Sequence, residues 1–331
     1  MRRSLGALLF ALFAATAPVR AEEEHALLAI PGTNVLFLVQ YVAADLKLWE
    51  KEGLDVKVQY INGIGAMNAV IAGSADFSMS SGPSITRANS RGQKLIALAT
   101  AINQSGQGIV IRKEIAEAAH FDPNAPLAVR ARILKGRTFA TGATAAIPDV
   151  VFKVVAKEAG IAPGEITTAP MQPPEFMAAF ARKAIDGFSN SPPYLQQVVL
   201  DGTGVMVIDP AKGEPEQFAP VASALLLARA DFCAAHRSVC TKMVRGVAAA
   251  TKLIRERPAD ALAVMKAHFG TYSDAVLAAS LDMVRAMTPS PPLTTVKELE
   301  NGDLLNEAAG FIKPEEKLAD YAAIIDNSFL K

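Results

Sequence analysis

The residue types that carry most enzyme chemistry are scarce in this chain and poorly spaced for it. The histidines, His25, His120, His236 and His268, stand far apart, and none is paired at metal-ligand spacing. The zinc-protease pattern HExxH, the nucleophile elbow GxSxG and the phosphate-cradling GxxxxGKS/T are all absent. Two stretches begin like a dinucleotide fingerprint, GIGAMN from Gly63 and GTGVMV from Gly202, and both lack the third glycine. Gly202 lies between a helix and a strand, the wrong order for such a site. Gly63 follows a strand and opens a helix, so its glycines read as close backbone approach to a small anion or polar ligand.

What the chain offers instead is a set of short loops rich in Ser, Thr, Asn and Gly: PGTNVLF, NGIGA, SMSSG, TGATAA and SNSPP, without a Lys, Arg or His among them. Backbone N–H groups at a helix start, helped by the helix dipole, hold an anion without a basic side chain. This composition suits binding and release and is poor for acid–base catalysis, which needs a positioned histidine or carboxylate. No metal ligand set and no cofactor is expected.

The elements that position these loops alternate between strand and helix. Glu23 to Ile30, Val56 to Tyr60, Phe77 to Met79 and Leu95 to Thr100 read as strands. A helix from Asn34 to Gly53 carries Leu38, Val42, Leu46 and Trp49 on one apolar stripe, which assigns Trp49 to the core. After Gln104-Ser105-Gly106-Gln107-Gly108 the rhythm restarts: strands at Ile109 to Ile111, Thr138 to Thr141, Ile166 to Ala169, Ile185 to Ser189 and Val205 to Ile208, with helices between. Such alternation predicts βαβ units and mostly parallel sheets, with the loops at the carboxyl ends of the strands on one ligand-binding edge. One internal echo, ADFSMSSGP from Ala75 against IDGFSNSPP from Ile185, suggests two similarly wound lobes whose loop edges face one another. Asp76 and Asp186 within it read as turn hydrogen-bonders rather than catalytic carboxylates. From Asp231 the chain is nearly all helix, with Val239 to Arg257, Ala259 to Phe269, Ser273 to Met287 and Pro314 to Asn327 expected to pack on the outside of the first lobe.

Composition bounds the partners. The 331 residues carry 33 basic and 33 acidic side chains, with neither a basic stripe nor an acidic tail, so no nucleic-acid footprint is present. Arg2 and Arg3, the apolar run Leu5 to Ala15 and the small residues before Glu22 form a secretory signal over residues 1–21. The rival reading, an uncleaved anchor, is opposed by a run shorter than the ~20 residues a span needs. Cys233 and Cys240 are the only cysteines. On one unbroken helix they would stand about 10 Å apart, too far for a disulfide, so a bridge requires a break near His236 to Ser238. A disulfide and two buried thiols both remain open.

LWEKEGLDVKV followed by AVIAGSADF is similar to the pattern shared by periplasmic substrate-binding proteins of nitrate/sulfonate/taurine-type ABC importers, the superfamily that also holds the thiamine-precursor binding proteins. LKGRTFATGATAA, AIDGFSNSPPY and ERPADALAVM resemble later parts of the same pattern. The resemblance implies an α/β, two-lobe periplasmic-binding-protein fold of class II type, each lobe a mostly parallel sheet flanked by helices, with a helical C-terminal segment on lobe one. Lobe one would comprise residues 22–107 and 225–331 and lobe two residues 108–224, with hinge segments near 103–108 and 219–223. By position the family's binding loops fall on Asn34 and Phe37, on Ile64, Gly65 and Ala66, on Ser80 and Ser81, on Gln104 and Ser105, on Thr144, and on Asn190 and Ser191. Phe37 reads equally as core or as cleft wall, and the serines equally as helix caps or ligand contacts.

The implied function is capture of a small anionic organic solute, a sulfonate or carboxylate, by a monomeric periplasmic protein that delivers it to the transmembrane subunits of an ABC permease. Two alternatives stand beside it: an enzyme on the same scaffold, related to pyrimidine or thiamine-precursor biosynthesis, and a ligand-sensing partner of a membrane receptor.

Overall fold

The computed structural model describes residues 24–331 apart from 143, 145, 146, 217 and 218, so the secretory signal lies outside the described residues. Ten strands form two five-stranded sheets. The first holds β1 (Glu24–Ile30), β2 (Leu54–Tyr60), β3 (Phe77–Ser80), β4 (Leu95–Ile102) and β10 (Ala224–Arg229), in the order β2-β1-β3-β10-β4. The second holds β5 (Gly108–Arg112), β6 (Thr138–Ala140), β7 (Thr167–Ala169), β8 (Gly187–Asn190) and β9 (Gly204–Ile208), in the order β7-β6-β8-β5-β9. Both sheets are mixed. Four strands of each run one way, and the fifth, β10 or β5, pairs antiparallel with both neighbours. That fifth strand is in each case the first one the chain enters after crossing from the other sheet.

The two sheets thus share one winding, and the sequence echo marks equivalent positions in it. β3 and β8 are both third in order, and the aspartate before each closes the same bracket. Asp76 takes the Leu27 N–H at 2.8 Å while its own N–H bonds the Leu27 carbonyl. Asp186 does the same at Thr138, at 2.9 Å, and also holds Arg112. Strand alternation sets the layers, since Ile109 and Ile111 enter one apolar cluster and Val110 the other.

The chain crosses between the sheets twice, and the two crossings are hydrogen-bonded to each other. Val221 N donates to Asn103 O, Ser223 N to Ile102 O, and Ser223 Oγ to Ser105 O at 2.9 Å. The return crossing is held further by the buried ion pair of Arg130 and Glu214, whose carboxylate also takes the Asp209 N–H.

Several helices differ from expectation. The helix expected over Asn34 to Gly53 is three pieces: a 3-10 turn at Val35–Phe37, a helix at Leu38–Asp45 and a single turn at Leu48–Lys51. The break falls at Lys47, which takes a left-handed conformation with φ 55°. Trp49 is buried beyond it and donates to Met243 O at 3.1 Å. The helix Ala230–Ala235 stops at His236, where φ −122° and ψ 51° leave the helical region, and Arg237–Glu256 begins anew. That turn brings the Cα atoms of Cys233 and Cys240 to 5.7 Å, and the two are joined as a disulfide.

At the C-terminal end, the helix expected over Pro314 to Asn327 is not formed, and the segment holds short 3-10 turns at Pro314–Glu316 and Ala322–Ile324, with another beginning at Asn327. The true helix is Val296–Ala308, announced by a capping box of Thr295 and Glu298. It does not pack on lobe one alone. Leu305 joins Val150 and Val154 of the second lobe in one apolar cluster, and Phe311 lies between Arg87 of the first lobe and Lys153 of the second, 5.2 and 4.5 Å from its ring centroid.

Two tests follow from this packing. An added Cβ at Gly246 would sit 2.1 Å from Trp49 Cδ1, so Gly246→Ala should destabilise lobe one by about 1–3 kcal/mol in urea unfolding. Burial pushes the Glu298 carboxyl above its ordinary value of 4.5, against hydrogen bonds from Thr295 and Thr100. The folded state then holds this proton more tightly than the unfolded state, so stability falls as pH rises from that ordinary value through the raised one. Glu298→Gln removes this slope, and its melting temperature relative to wild type should therefore climb between pH 4.5 and pH 7; a constant difference would contradict this.

Candidate functional site

A cleft of about 740 Å³ opens between the loop edges of the two sheets. Lobe one supplies residues within 31–37, 60–64 and 80–84, lobe two Gly142, Pro148 and residues within 171–177 and 190–197, and the crossing segments supply Gln107 and Ser223 at the junction. Tyr272 enters from the C-terminal helices.

Local folding fixes each wall. Asn34 caps the first 3-10 turn, its Oδ1 taking Leu36 N–H at 3.0 Å, so the chain turns inward before Phe37. Ser81 caps the helix Gly82–Ser90, accepting from Ser84 N and donating to Ser84 Oγ at 2.9 Å. Asn190 turns its Oδ1 onto Ser191 N at 2.8 Å. Tyr194 spans the cleft, donating from its hydroxyl to Thr33 O of the opposite lobe at 3.1 Å, with its ring edge-on to Phe176 and Tyr272. At the mouth Tyr60 and Ile64 are about half exposed.

The electrostatics are plain. Among the described residues the lining contains no Asp, Glu, Lys, Arg or His. Burial pushes the phenols of Tyr194 and Tyr272 upward, which keeps them neutral. Two helix starts at the cleft are also closed, and so is the turn that leads into a third. At Gly82–Ser90, Gly82 N bonds Ala222 O, Pro83 has no N–H, and Ser84 N is capped. At Pro173–Ala181 the first two residues are prolines, and Gln172 N is held by Glu175. Before Tyr194–Leu200, Ser191 N is taken by Asn190, and Pro192 and Pro193 follow. Of the lining residues, Gln107 is the one with a buried side-chain oxygen left unpaired: it is 5% exposed and its Oε1 has no hydrogen-bond partner.

Of the positions singled out from sequence, Asn34, Phe37, Ile64, Ser80 and Ser81 line the cleft from lobe one, and Asn190 and Ser191 from lobe two. The other five fall outside the lining. Gly65 begins the helix Gly65–Ile71 and Ala66 is buried beneath it, packed in the apolar cluster behind β1. Ser105 spends its carbonyl on Ser223, and the turn at Gly106, with φ 61°, carries Gln107 rather than Gln104 or Ser105 to the cleft. Thr144 is exposed and is not among the lining residues, although Gly142 and Pro148 on either side of it are. Sequence reasoning missed Gln107, Tyr60, Tyr194, Met171, Met177 and Tyr272. Gln107 had a signal, the glycines on either side of it; Tyr272 had none, because it arrives from a distant helical segment.

These features define the class: a two-lobe, cleft-bearing α/β fold of the kind found in solute-binding proteins. The sequence profile of the NMT1-like family matches residues 34–268, more than half of the chain, and the chain belongs to that family. No curated protein matches its sequence. Among solved structures it is similar to a protein from Bordetella bronchiseptica RB50, with TM-score 0.78 and 19% identity over 92% of this chain and 95% of that one. It is similar too to the alkanesulfonate-binding protein SsuA of Xanthomonas axonopodis pv. citri bound to MOPS, with TM-score 0.71, 15% identity and coverage of 92% and 99%. The periplasmic nitrate-binding protein NrtA of Synechocystis PCC 6803 gives TM-score 0.58 and 17% identity over 74% of this chain and 66% of that one. Among the described residues no helix is long and apolar enough to cross a membrane.

With no carboxylate, amine or imidazole in the lining, affinity for a solute that does not itself titrate should be flat between about pH 5 and 8 by calorimetry, and a slope would reveal a protein group that this geometry lacks.

Proposed function

We propose that this protein is the solute-binding component of an ABC importer, acting in the periplasm after removal of its leader. It captures a small organic solute between two lobes and delivers it to the permease. The observation that carries this is the cleft itself. It takes wall residues from both lobes and from the crossing segments, and it offers hydroxyls, amides and aromatic faces without a nucleophile–base pair. Closure would hinge on the segments between Ile102 and Gly108 and between Ile208 and Ala224, with a solute that touches both lobes favouring the closed form. Sulfonate and nitrate are named for structural neighbours, and the sequence reading points to a sulfonate or carboxylate. The size and aromatic content of this cleft favour an organic molecule over an inorganic ion.

A thermal-shift screen of the mature chain against organic solutes, charged and uncharged, tests the reading. At least one should raise the melting temperature in a dose-dependent way, by mass action, and be recovered unchanged. Chemical conversion of the stabilising compound would contradict it.

A further inference from the structure

Resting on the cleft being the solute site, we infer that its solute is electrically neutral, with a carbonyl–amide edge that pairs with Gln107 and an apolar or aromatic body.

An anion needs compensation. Taking a carboxylate or sulfonate out of water costs several kcal/mol even after relaxation, and a protein offsets this with a cation, a cluster of free N–H groups or a helix start. The described lining has no cation. Among the described residues, the helix starts at Gly82–Ser90 and Pro173–Ala181 and the turn before Tyr194–Leu200 are spent. At 82–84, 172–174 and 191–193 the leading N–H groups are either absent, because Pro83, Pro173, Pro174, Pro192 and Pro193 carry none, or already bonded to Ala222 O, Ser81 Oγ, Glu175 Oε2 and Asn190 Oδ1. The prolines stand on both sides of the cleft, so the closure belongs to neither lobe alone. Glu175 and Asn190 also turn carboxylate and amide oxygens onto groups that an anion would otherwise claim.

A neutral polar edge meets the opposite situation. Gln107 is buried on the segment where the chain crosses between lobes, its amide oxygen is unpartnered, and the side chain lines the cleft. Turned either way, a terminal amide presents one donor and one acceptor, and leaving such a group dry and unpaired is unfavourable. A primary or secondary amide, a lactam or an imide satisfies both at once. A carboxylate or sulfonate satisfies only the donor and sets its charge against the Gln107 oxygen. The rest of the cavity suits an apolar body: Phe37 and Tyr60 from lobe one, Met171, Met177 and Tyr194 from lobe two, and Tyr272 from the C-terminal helices. The half-exposed Ile64 and Tyr60 at the mouth extend that surface outward.

The test uses the mature wild-type chain and head-group triplets that hold the body constant: benzamide, benzoate and benzenesulfonate, then hexanamide, hexanoate and hexanesulfonate, read by calorimetry and thermal shift. In at least one triplet the amide should bind about tenfold or more tighter than both of its anions, the scale set by one well-paired buried hydrogen bond and one uncompensated charge. Raising the salt from about 50 to 500 mM should leave that affinity unchanged, because no charge is being neutralised. Gln107→Met, which keeps the volume, should abolish the preference for the amide while the unliganded melting temperature holds. An anion that binds as tightly as its amide overturns the inference and leaves the solute-binding reading standing, and so does retention of the preference in Gln107→Met. Failure of every amide to bind at up to about 10 mM overturns it as well. Consumption of a probe would instead overturn the solute-binding reading.

Discussion

The two crossings between lobes are bonded to each other rather than left as separate tethers, and the rest of the architecture depends on that pairing. Three contacts, from Val221 to Asn103 and from Ser223 to Ile102 and Ser105, make the crossings a short ribbon. A ribbon of this kind bends more readily than it stretches or slides, so it preserves which loop of one lobe faces which loop of the other. It also explains the antiparallel strand in each sheet. A chain that crosses, builds a sheet and returns must enter each new sheet against the direction of its neighbours, as β5 and β10 do. The helix Val296–Ala308, with Phe311 set between Arg87 and Lys153, adds a third link behind the ribbon.

The chemistry of the cleft follows from how thoroughly its polar groups are already satisfied. Caps and prolines close the helix starts at Gly82–Ser90 and Pro173–Ala181, and the ion pair of Arg130 with Glu214 is outside the lining, bonded to Val207 O and Asp209 N. For a solute the described lining offers the hydroxyls and amides of both lobes, the buried amide of Gln107, and aromatic and thioether surface. A site built this way discriminates by shape and by paired hydrogen bonds, which is the basis of selective capture and reversible release.

Much of this was legible in the sequence because the signals were local. The strand periodicity, the Asp-Phe-Ser echo and the caps at Asn34 and Ser81 each depend on residues close in the chain, and Trp49 declared itself core through its stripe. The misses were of another kind. Lys47 breaks a helix that propensity alone would continue, since tertiary packing of Trp49 under the helix Arg237–Glu256 pulls the chain aside. The helix Val296–Ala308 was overlooked although its capping box is local, because its polar, weakly periodic face hides a burial shared between two lobes. Gly65 and Ala66 were assigned to the cleft by their loop, yet the helix begins there and turns them inward. Gln107 and Tyr272 could not be ranked without knowing which way the crossing turns and which distant helices close the cavity.

If the two lobes close on a solute about the crossing ribbon, the distance between their lips measures it. Gln59 and Ala178 are exposed on opposite lips, and the native cysteines are bridged, so a Gln59→Cys, Ala178→Cys variant accepts one spin label on each lobe. Double electron–electron resonance on this variant, with and without a solute that raises the melting temperature, should show the distribution shift to shorter distance and narrow on binding. An unchanged distribution at saturating solute would contradict the account.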